Sequence, residues 1–151
     1  MKVTKEDERF MGEALKEAKR AFELDEVPIG CVIVCDGTII ARAYNYTEHL
    51  NDVTAHAEMQ AITSAANNIG GKYLQECTLY VTIEPCVMCA GALFWSQIGR
   101  IVYGAGDSKR GFSMIGTHLL HPRTKISKGI LEQECSQLVK TFFEGKRREG
   151  K

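Results

Sequence analysis

The sequence predicts an α/β protein, because stretches typical of helices alternate along the chain with stretches typical of strands. The predicted helices combine good helix formers with apolar periodicity and cover residues 5–23, 56–69, 87–98 and 130–148. β-Branched and apolar residues dominate the predicted strands, at 30–35, 38–44, 77–83 and 100–105, with a short fifth strand at 125–129. No repeat or linker divides the chain, so we expect a single domain spanning residues 1–151.

Local signals mark the boundaries of these elements. In the first helix, one apolar face is formed by Met11, Leu15, Ala18 and Phe22. The pair Asp36-Gly37 is typical of a hairpin turn between the first two strands, and Gly70-Gly71 is a helix stop. We expect Thr54 to cap the helix of 56–69 and Pro85 to lie in the first turn of the next helix. Residues 46–53 are expected to form a polar loop.

The charge balance alone does not indicate a nucleic-acid partner. The chain carries 19 basic and 19 acidic side chains, so its net charge is zero. The two halves differ, however: residues 1–75 hold 8 basic and 12 acidic side chains, and residues 76–151 hold 11 and 7. The basic end GKRREGK is therefore either a solvated tail or a patch that contacts phosphates.

The composition also predicts the cellular compartment. No apolar run approaches the roughly 18 residues of a membrane span, and the charged start MKVTKEDERF lacks the apolar core of a signal peptide. We therefore expect a cytoplasmic protein with no membrane partner. In that compartment the six cysteines are expected to be reduced, two as metal ligands and four as small core residues.

Two short motifs are expected to carry the chemistry. His56 and Glu58 form H-x-E, and Cys86 and Cys89 form C-x-x-C directly after Pro85. One imidazole and two thiolates are ligands that Zn²⁺ favours, and three protein ligands leave one tetrahedral position for water. Glu58, close to His56, could move protons to and from that water. H-x-E followed by P-C-x-x-C is the pattern of zinc-dependent deaminases.

A closed structural zinc site is the alternative interpretation of the same cysteines. Cys77, nine residues before Cys86, could supply a fourth ligand and give a Cys₃His site without catalytic function. Two features oppose this alternative, since Cys77 begins a predicted strand and Glu58 would then have no role. We therefore favour a catalytic metal site.

Beyond the metal motifs, longer stretches resemble the bacterial tRNA-specific adenosine deaminases, which convert the wobble adenosine of a tRNA anticodon to inosine. The similar stretches include EVPIGCVIV (26–34), DVTAHAE (52–58), TLYVTIEPCVMCAGAL (78–93), IGRIVYGAGD (98–107), GILEQEC and the basic FFEGKRR end. Each motif alone occurs in other zinc deaminases, but the combination of EVP-G, TAHAE and EPCVMCAGA is specific.

The resemblance implies a fold, a cofactor and partners. The implied fold is a three-layer α/β/α architecture of the cytidine deaminase type, with a central five-stranded mixed sheet. The implied cofactor is one Zn²⁺ per subunit, held by His56, Cys86 and Cys89, with Glu58 as the catalytic proton shuttle. The implied partners are a tRNA anticodon stem-loop and a second copy of the chain, because members of the family act as homodimers.

The resemblance also implies substrate contacts. Asn45 and the backbone of Ala57 would hydrogen-bond the flipped adenine, and Asp107 would lie beside the bound anticodon nucleotide. The match weakens in residues 106–124, where Gly106 replaces a residue that is often basic in close relatives. This segment borders the expected RNA groove, so the divergence affects anticodon recognition rather than the deamination chemistry.

Two other functions are compatible with these motifs. A deaminase of a free base or nucleoside, of the guanine or cytosine type, uses the same zinc motif, and Trp95 is reminiscent of the guanine deaminases. A zinc-stabilised RNA-binding module without activity is the third interpretation, and Glu58 counts against it. The EVP-G motif and the basic C-terminal helix favour the tRNA enzyme, whose activity should fall steeply with salt.

Overall fold

The computed structural model describes residues 3–150, which fold into helices and strands around one sheet. The α-helices are α1 (Lys5–Glu23), α2 (Thr47–Leu50), α3 (Ala57–Ile69), α4 (Val87–Ser96) and α5 (Glu132–Arg148). The strands are β1 (Gly30–Cys35), β2 (Thr38–Tyr44), β3 (Cys77–Ile83), β4 (Arg100–Ala105) and β5 (Lys125–Lys128). Within these described residues, no helix is long and apolar enough to cross a membrane.

The strands form one mixed sheet in the order β2-β1-β3-β4-β5. β1 pairs antiparallel with β2 and β3, whereas β3, β4 and β5 run parallel to one another. Parallel neighbours need a crossover connection, and α4 supplies the one between β3 and β4. The predicted α/β class and the five-stranded mixed sheet are confirmed. The parallel strands also bring the loops that follow β3 and β4 to the same edge of the sheet.

Helices cover both faces of the sheet, as the side chains of β1 show. Cys31 and Ile33 pack in one buried cluster with α3 and α4, whereas Val32 and Val34 pack in a second cluster with α1 and α5. Successive side chains of a strand point to opposite faces, so a strand covered on both sides is apolar at every position. The three-layer α/β/α arrangement is thereby confirmed.

Several local signals produce the structures that they predict. Asp36 and Gly37 have φ angles of 53° and 74°, the left-handed values that a tight hairpin turn requires. Gly70 ends α3 with a φ of 73°. The structure adds a signal that the sequence analysis did not use: at the start of α1, Thr4 and Asp7 exchange hydrogen bonds in a capping box.

The predicted starts of the two motif helices are wrong by one or two residues. His56, rather than Thr54, is the N-cap of α3, because Asp52 Oδ1 accepts hydrogen bonds from both the backbone and the hydroxyl of Thr54. Pro85 lies before α4 rather than in its first turn, since Cys86 is the N-cap. Both corrections move a predicted metal ligand onto the cap position of a helix.

Further boundaries differ from the prediction, and α5 begins at Glu132, two residues later than expected. α4 ends at Ser96, where Gln97 adopts a left-handed φ of 55°, so the helix is two residues shorter than expected. The segment 46–53, predicted as a loop, contains the single turn α2. In α2 and α4 a left-handed residue ends the helix without a glycine, which the sequence pattern did not indicate.

A buried ion pair joins α1 to the sheet. Asp7, 1% exposed, accepts hydrogen bonds from Arg100 at 2.8 and 3.0 Å and from the Tyr80 hydroxyl at 2.7 Å. Burial alone would raise the pKa of Asp7, but these hydrogen bonds outweigh it and lower the pKa from 3.8 to about 2. Because the folded-state pKa is depressed, the stabilisation is complete above the unfolded-state pKa and is lost as the pH falls to about 2.

We predict that Asp7→Asn destabilises the protein by about 2 kcal/mol at neutral pH, the free-energy equivalent of that lowered pKa. Urea unfolding followed by circular dichroism measures the difference, which should shrink as the pH falls from about 4 to about 2. Glu13→Gln is the control, because the partly exposed pairs of Glu13 with Lys16 and Arg42 should contribute under about 1 kcal/mol each. A difference that stays constant over this pH range would contradict the assignment.

Candidate metal centre and active site

The two sequence motifs meet where β3 ends and two helices begin. β3 ends at Ile83, and three residues later Cys86 caps α4, with Cys89 in the first turn of that helix. His56 caps α3, which packs in the same layer as α4. The carboxyl edge of the parallel strands is where open α/β sheets bind ligands. The fold therefore brings the three predicted ligands together at this edge.

The three side chains form a group of the size that a zinc ion requires. His56 Nδ1 lies 3.6 Å from Cys86 Sγ and 3.6 Å from Cys89 Sγ, and the three atoms all lie within 4.8 Å of one another. With Zn–S bonds of about 2.3 Å and Zn–N bonds of about 2.0–2.1 Å, a tetrahedral site has an S to N edge of about 3.6 Å. The group therefore fits tetrahedral zinc with three protein ligands and one open position.

The two cysteines differ in acidity before any metal binds. A hydrogen bond from Cys89 and the neighbouring His56 lower the pKa of Cys86 to about 4, against the opposing effect of burial. The pKa of Cys89 is raised above its ordinary value, first because its thiol donates to Cys86 and second because it is buried. One thiolate is therefore available at neutral pH, and coordination to a cation would deprotonate the second.

Glu58 lies beside the metal group in the first turn of α3 and is only 4% exposed. Burial, reinforced by the charge of Cys86, raises the pKa of Glu58 from 4.5 to about 7. A carboxyl group with a pKa near neutrality can both accept and donate a proton at physiological pH. This environment suits the acid/base role that the sequence predicts for Glu58.

A cavity of about 350 Å³ lies next to the metal group. This volume is within the range of small-molecule sites, about 300–1,000 Å³. The cavity is lined by Ile29, Asn45, His56, Ala57, Glu58, Ile83, Glu84, Cys86, Asp107 and Arg110. All the site residues predicted from the sequence line this cavity except Cys89, which is fully buried.

The predicted substrate contacts Asn45 and Asp107 line the cavity from two different loops. Asn45 directly follows β2, is 7% exposed, and its backbone N–H donates to the Ile29 carbonyl at 3.0 Å. Asp107 lies in the loop after β4, where its carboxylate accepts the backbone N–H groups of Lys109 and Arg110, each at 3.0 Å. Two loops from distant parts of the sequence thus enclose the same space.

The structure excludes the closed zinc site with Cys77. Cys77 is the first residue of β3, where it lies opposite Cys35 of β1, whereas Cys86 follows the last residue of the strand. A strand of seven residues with a rise of about 3.3 Å per residue separates its ends by roughly 20 Å. Cys77 therefore cannot complete the ligand group.

Sequence reasoning missed Glu84, a buried carboxylate that lines the cavity. Glu84 is 5% exposed, and its two carboxylate oxygens accept the backbone N–H groups of Asp107 at 3.0 Å and Ser113 at 2.9 Å. One signal could have found it, because a charged residue directly after an apolar strand must find partners when it is buried. Sequence reasoning also missed Arg110, whose cationic side chain lines the cavity, because no local motif marks this residue.

A second missed carboxylate, Glu26, holds the loop after β2. Glu26 is fully buried and accepts the backbone N–H groups of Glu48 and His49. His49 Nδ1 also lies 2.6 Å from Glu26 Oε2, and its ring stacks on Tyr46 with centroids 4.8 Å apart. His49, which the sequence placed in a solvated loop, is therefore a structural partner of the EVP-G motif.

A basic groove of about 850 Å³ adjoins the cavity and runs between the loop after β4 and α5. It shares Ile83, Asp107 and Arg110 with the cavity, so the two spaces adjoin at these residues. Its charged lining consists of the cations Lys109, Arg110, Lys140 and Arg147 and the anions Asp107 and Glu144. Lys146, also on α5, binds Asp25 at 2.6 Å and does not line the groove.

Comparison with known proteins identifies relatives over most of the chain. Residues 4–105 match the cytidine and deoxycytidylate deaminase zinc-binding region. The chain is 47% identical to the tRNA-specific adenosine deaminase of Aquifex aeolicus over 141 residues, covering 90% of this chain and 93% of that protein. A structure solved in a study of A-to-I editing by tRNA:A34 deaminases has a TM-score of 0.81 at 43% identity, covering 86% of this chain and 98% of that one.

One further structure bears on the alternative substrate. The guanine deaminase of Bacillus subtilis has a TM-score of 0.63 at 40% identity, over 66% of this chain and 64% of that one. The zinc cofactor predicted from the sequence is confirmed by the matched zinc-binding region and by the ligand group of His56, Cys86 and Cys89. The chain belongs to the zinc-binding cytidine and deoxycytidylate deaminase family, in the branch that contains the tRNA-specific adenosine deaminases.

Proposed function

We propose that this protein converts adenosine to inosine at the wobble position of a tRNA anticodon. The observation that carries the proposal is the junction between the cavity and the basic groove, at Asp107 and Arg110. A nucleotide flipped out of an anticodon loop needs a cavity for its base and a cationic surface for its phosphates. The 47% identity to a tRNA-specific adenosine deaminase supports the same substrate. We also propose that the protein acts in the cytoplasm, the compartment that the sequence predicts.

The proposed reaction is hydrolytic and consumes one water for each ammonia released. His56, Cys86 and Cys89 would hold zinc, which when bound activates water for attack on C6 of the adenine. Glu58 accepts a proton from that water and delivers it to the departing amino group. The pKa of Glu58, raised to about 7 by burial, allows the same carboxyl group to act in both steps. Ammonia leaves, and inosine remains.

The cavity lining supplies the proposed contacts to the base. Asn45 and the backbone of Ala57 would hydrogen-bond the edge of the adenine, and Ile29 and Ile83 supply apolar surface against which the ring can pack. Asp107, at the junction with the groove, would lie beside the target nucleotide. These roles follow from the position of each residue in the lining and from the resemblance to the family.

Deamination of a free base such as guanine is the second candidate, supported by the 40% identity to the Bacillus subtilis guanine deaminase. Trp95, which is reminiscent of the guanine deaminases, is 76% exposed and is not among the residues that line the cavity. A free base also has no phosphates to occupy the groove. An inactive RNA-binding module would gain nothing from burying Glu58 beside the metal group, because burial of a carboxylate is costly.

The proposed homodimer has a candidate interface around the metal end of the molecule. Three segments near the predicted metal ligands carry exposed apolar side chains, and these are Val53, Val87, Met88, Met114 and Ile115. The backbone bridge between Cys86 and Gly111 brings the last two segments together. Exposed apolar patches of this kind mark protein contacts, and the family resemblance supports a second copy as the occupant.

We predict that Glu58→Gln lowers the rate of inosine formation on an anticodon stem-loop by roughly 10²–10⁴-fold, because the amide cannot accept and return the proton. Zinc content and stem-loop affinity should be unchanged, since the variant keeps the size of the side chain. Mass spectrometry of digested RNA measures inosine, and elemental analysis measures zinc. Glu23→Gln, at an exposed position on α1, is the control. Retained turnover in Glu58→Gln would falsify the assigned role.

We predict that Arg147→Gln and Lys140→Gln weaken stem-loop binding by losing phosphate contacts in the groove. For single-stranded nucleic acid, each lost contact should reduce the slope of log affinity against log salt by about 0.7. Titrations at several salt concentrations measure the slope, with Lys16→Gln on exposed α1 surface as the control. Point variants are preferable to deletion of residues 146–151, which would also break the Lys146–Asp25 pair. Unchanged slopes would mean that the groove does not bind RNA.

We predict a molar mass in solution of twice the 16.8 kDa chain, measured by sedimentation equilibrium. Ile115→Glu, which buries a charge in the proposed interface, should shift the protein to monomer. Leu24→Glu, at an apolar position 38% exposed at the end of α1, should leave the dimer intact. A monomer in the parent protein, or equal dissociation in both variants, would reject this interface.

A further inference from the structure

We infer that Glu84 is a positioning residue for substrate recognition, which holds the loop of residues 106–113 at the mouth of the cavity. This inference rests on the proposed function, because the loop carries Asp107 and Arg110, which line both the cavity and the basic groove. Glu84 lines the cavity but not the groove, and both of its carboxylate oxygens accept backbone N–H groups of the loop. We therefore assign its effect on substrate to the position of the loop.

The contacts of Glu84 span both ends of the loop. Its carboxylate accepts the N–H of Asp107 on one oxygen at 3.0 Å and the N–H of Ser113 on the other oxygen at 2.9 Å. The backbone N–H of Glu84 donates to the Ala105 carbonyl at 2.8 Å, which fixes its main chain to the end of β4. A single buried carboxylate thus joins residues that lie six positions apart in the loop. Hydrogen bonds to a charged acceptor of this kind are among the stronger ones in proteins.

The loop also closes on itself and on the metal motif. The Asp107 carboxylate accepts the N–H groups of Lys109 and Arg110, and the Asp107 carbonyl accepts the N–H of Gly111 at 2.9 Å. The N–H of Phe112 donates to the Pro85 carbonyl at 3.0 Å. Because Glu84 and Pro85 directly precede the ligand Cys86, these contacts fix the position of the loop relative to the metal centre.

Gly111 shows how closely the loop packs on the carboxylate. A Cβ at this position would lie 2.3 Å from Glu84 Cδ, 2.4 Å from Glu84 Oε1 and 2.6 Å from the Asp107 carbonyl oxygen. No side chain can occupy that space unless the Glu84 carboxylate or the loop backbone moves. Gly111 therefore belongs to the same structural unit, and a substitution there disturbs the unit without changing the charge of Glu84.

Glu84 and Glu58 have different environments. The difference supports a positioning role for Glu84 and a catalytic role for Glu58. Both oxygens of Glu84, which is 5% exposed, are engaged by backbone N–H groups of the loop. Glu58 lies beside the metal ligands in the first turn of α3, is 4% exposed, and is not part of the hydrogen bonds that hold the loop. The proton transfers are therefore assigned to Glu58, and the geometry of the loop is assigned to Glu84.

The first test is Glu84→Gln in the full-length protein loaded with zinc. The amide keeps one acceptor but turns an N–H₂ group toward the second backbone donor, so one end of the loop is released. We expect KM for an anticodon stem-loop to rise roughly tenfold, the equivalent of one lost hydrogen bond to a charged group, with a much smaller change in kcat. Gly111→Ala should reproduce this change. Gly12→Ala, which adds its methyl group to open space on α1, is the matched control.

The second test is a double-mutant cycle between Glu84 and Asp107. If Glu84 acts by placing Asp107, then Asp107→Ala should raise KM less in the Glu84→Gln background than in the parent. Additive effects of the two substitutions, or a loss in kcat with unchanged KM, would overturn the inference. A general loss of stability would lower the active fraction without producing this coupling.

Amide hydrogen exchange tests this inference independently of the proposed substrate, because the measurement needs no RNA. In Glu84→Gln the amides of residues 107–113 should exchange faster, while those of β1 and β3 keep their protection and zinc content is unchanged. Equal exchange in the variant and the parent would overturn the inference whatever the substrate is. If the parent fails to deaminate the stem-loop but the loop amides respond as expected, the proposed function fails while the anchoring of the loop stands.

Discussion

The three-atom group of His56, Cys86 and Cys89 is the constraint on which the arrangement of this protein depends. The His56 nitrogen must lie about 3.6 Å from each sulfur, yet it is 30 residues from the nearer cysteine in the sequence. The fold meets this requirement by letting α3 and α4 begin side by side at the end of β3. If either helix began one residue earlier, its cap residue would lie inside the helix and its side chain would leave the ligand group.

We assign separate tasks to the carboxyl groups around this centre because their surroundings differ. Glu58 is buried beside the ligands, and its raised pKa suits proton transfer. Glu26 and Glu84 are also buried, but backbone N–H groups engage them: Glu26 holds the loop after Asn45, and Glu84 holds the loop that contains Asp107. The walls of the cavity are therefore fixed from inside the protein. A base entering the cavity would meet contacts that are already ordered.

Local sequence patterns predicted the class of fold and the zinc ligand group correctly, and the structure places Glu58, the proposed proton shuttle, beside that group. The ligands could be predicted because H-x-E and P-C-x-x-C place specific chemical groups at helix starts, where short-range geometry dominates. The cap of α3 was predicted wrongly because Asp52 competes for the Thr54 hydroxyl, a choice that depends on how the loop folds. The position of Cys77 relative to the metal followed only once the direction of β3 was known.

The remaining features could not be predicted because they depend on contacts between distant segments. Glu84 meets Asp107 and Ser113 only when the loop after β4 folds back on the end of β3. The groove exists because α5 packs beside that same loop, and its cations come from two separate stretches of sequence. A count of the basic residues at the chain end does not show which of them line the groove. Lys146 pairs with Asp25, whereas Arg147 lines the groove.

The most direct test of the account is a side-by-side assay of the purified zinc protein on a tRNA anticodon stem-loop with adenosine at the wobble position and on free guanine. The proposed function predicts inosine at that position of the stem-loop, at a rate that falls steeply with salt, and no ammonia from guanine. Ammonia from guanine with no inosine in the stem-loop would contradict it. That result would agree with zinc-dependent deamination in the cavity, but it would mean that the basic groove does not bind the proposed tRNA substrate.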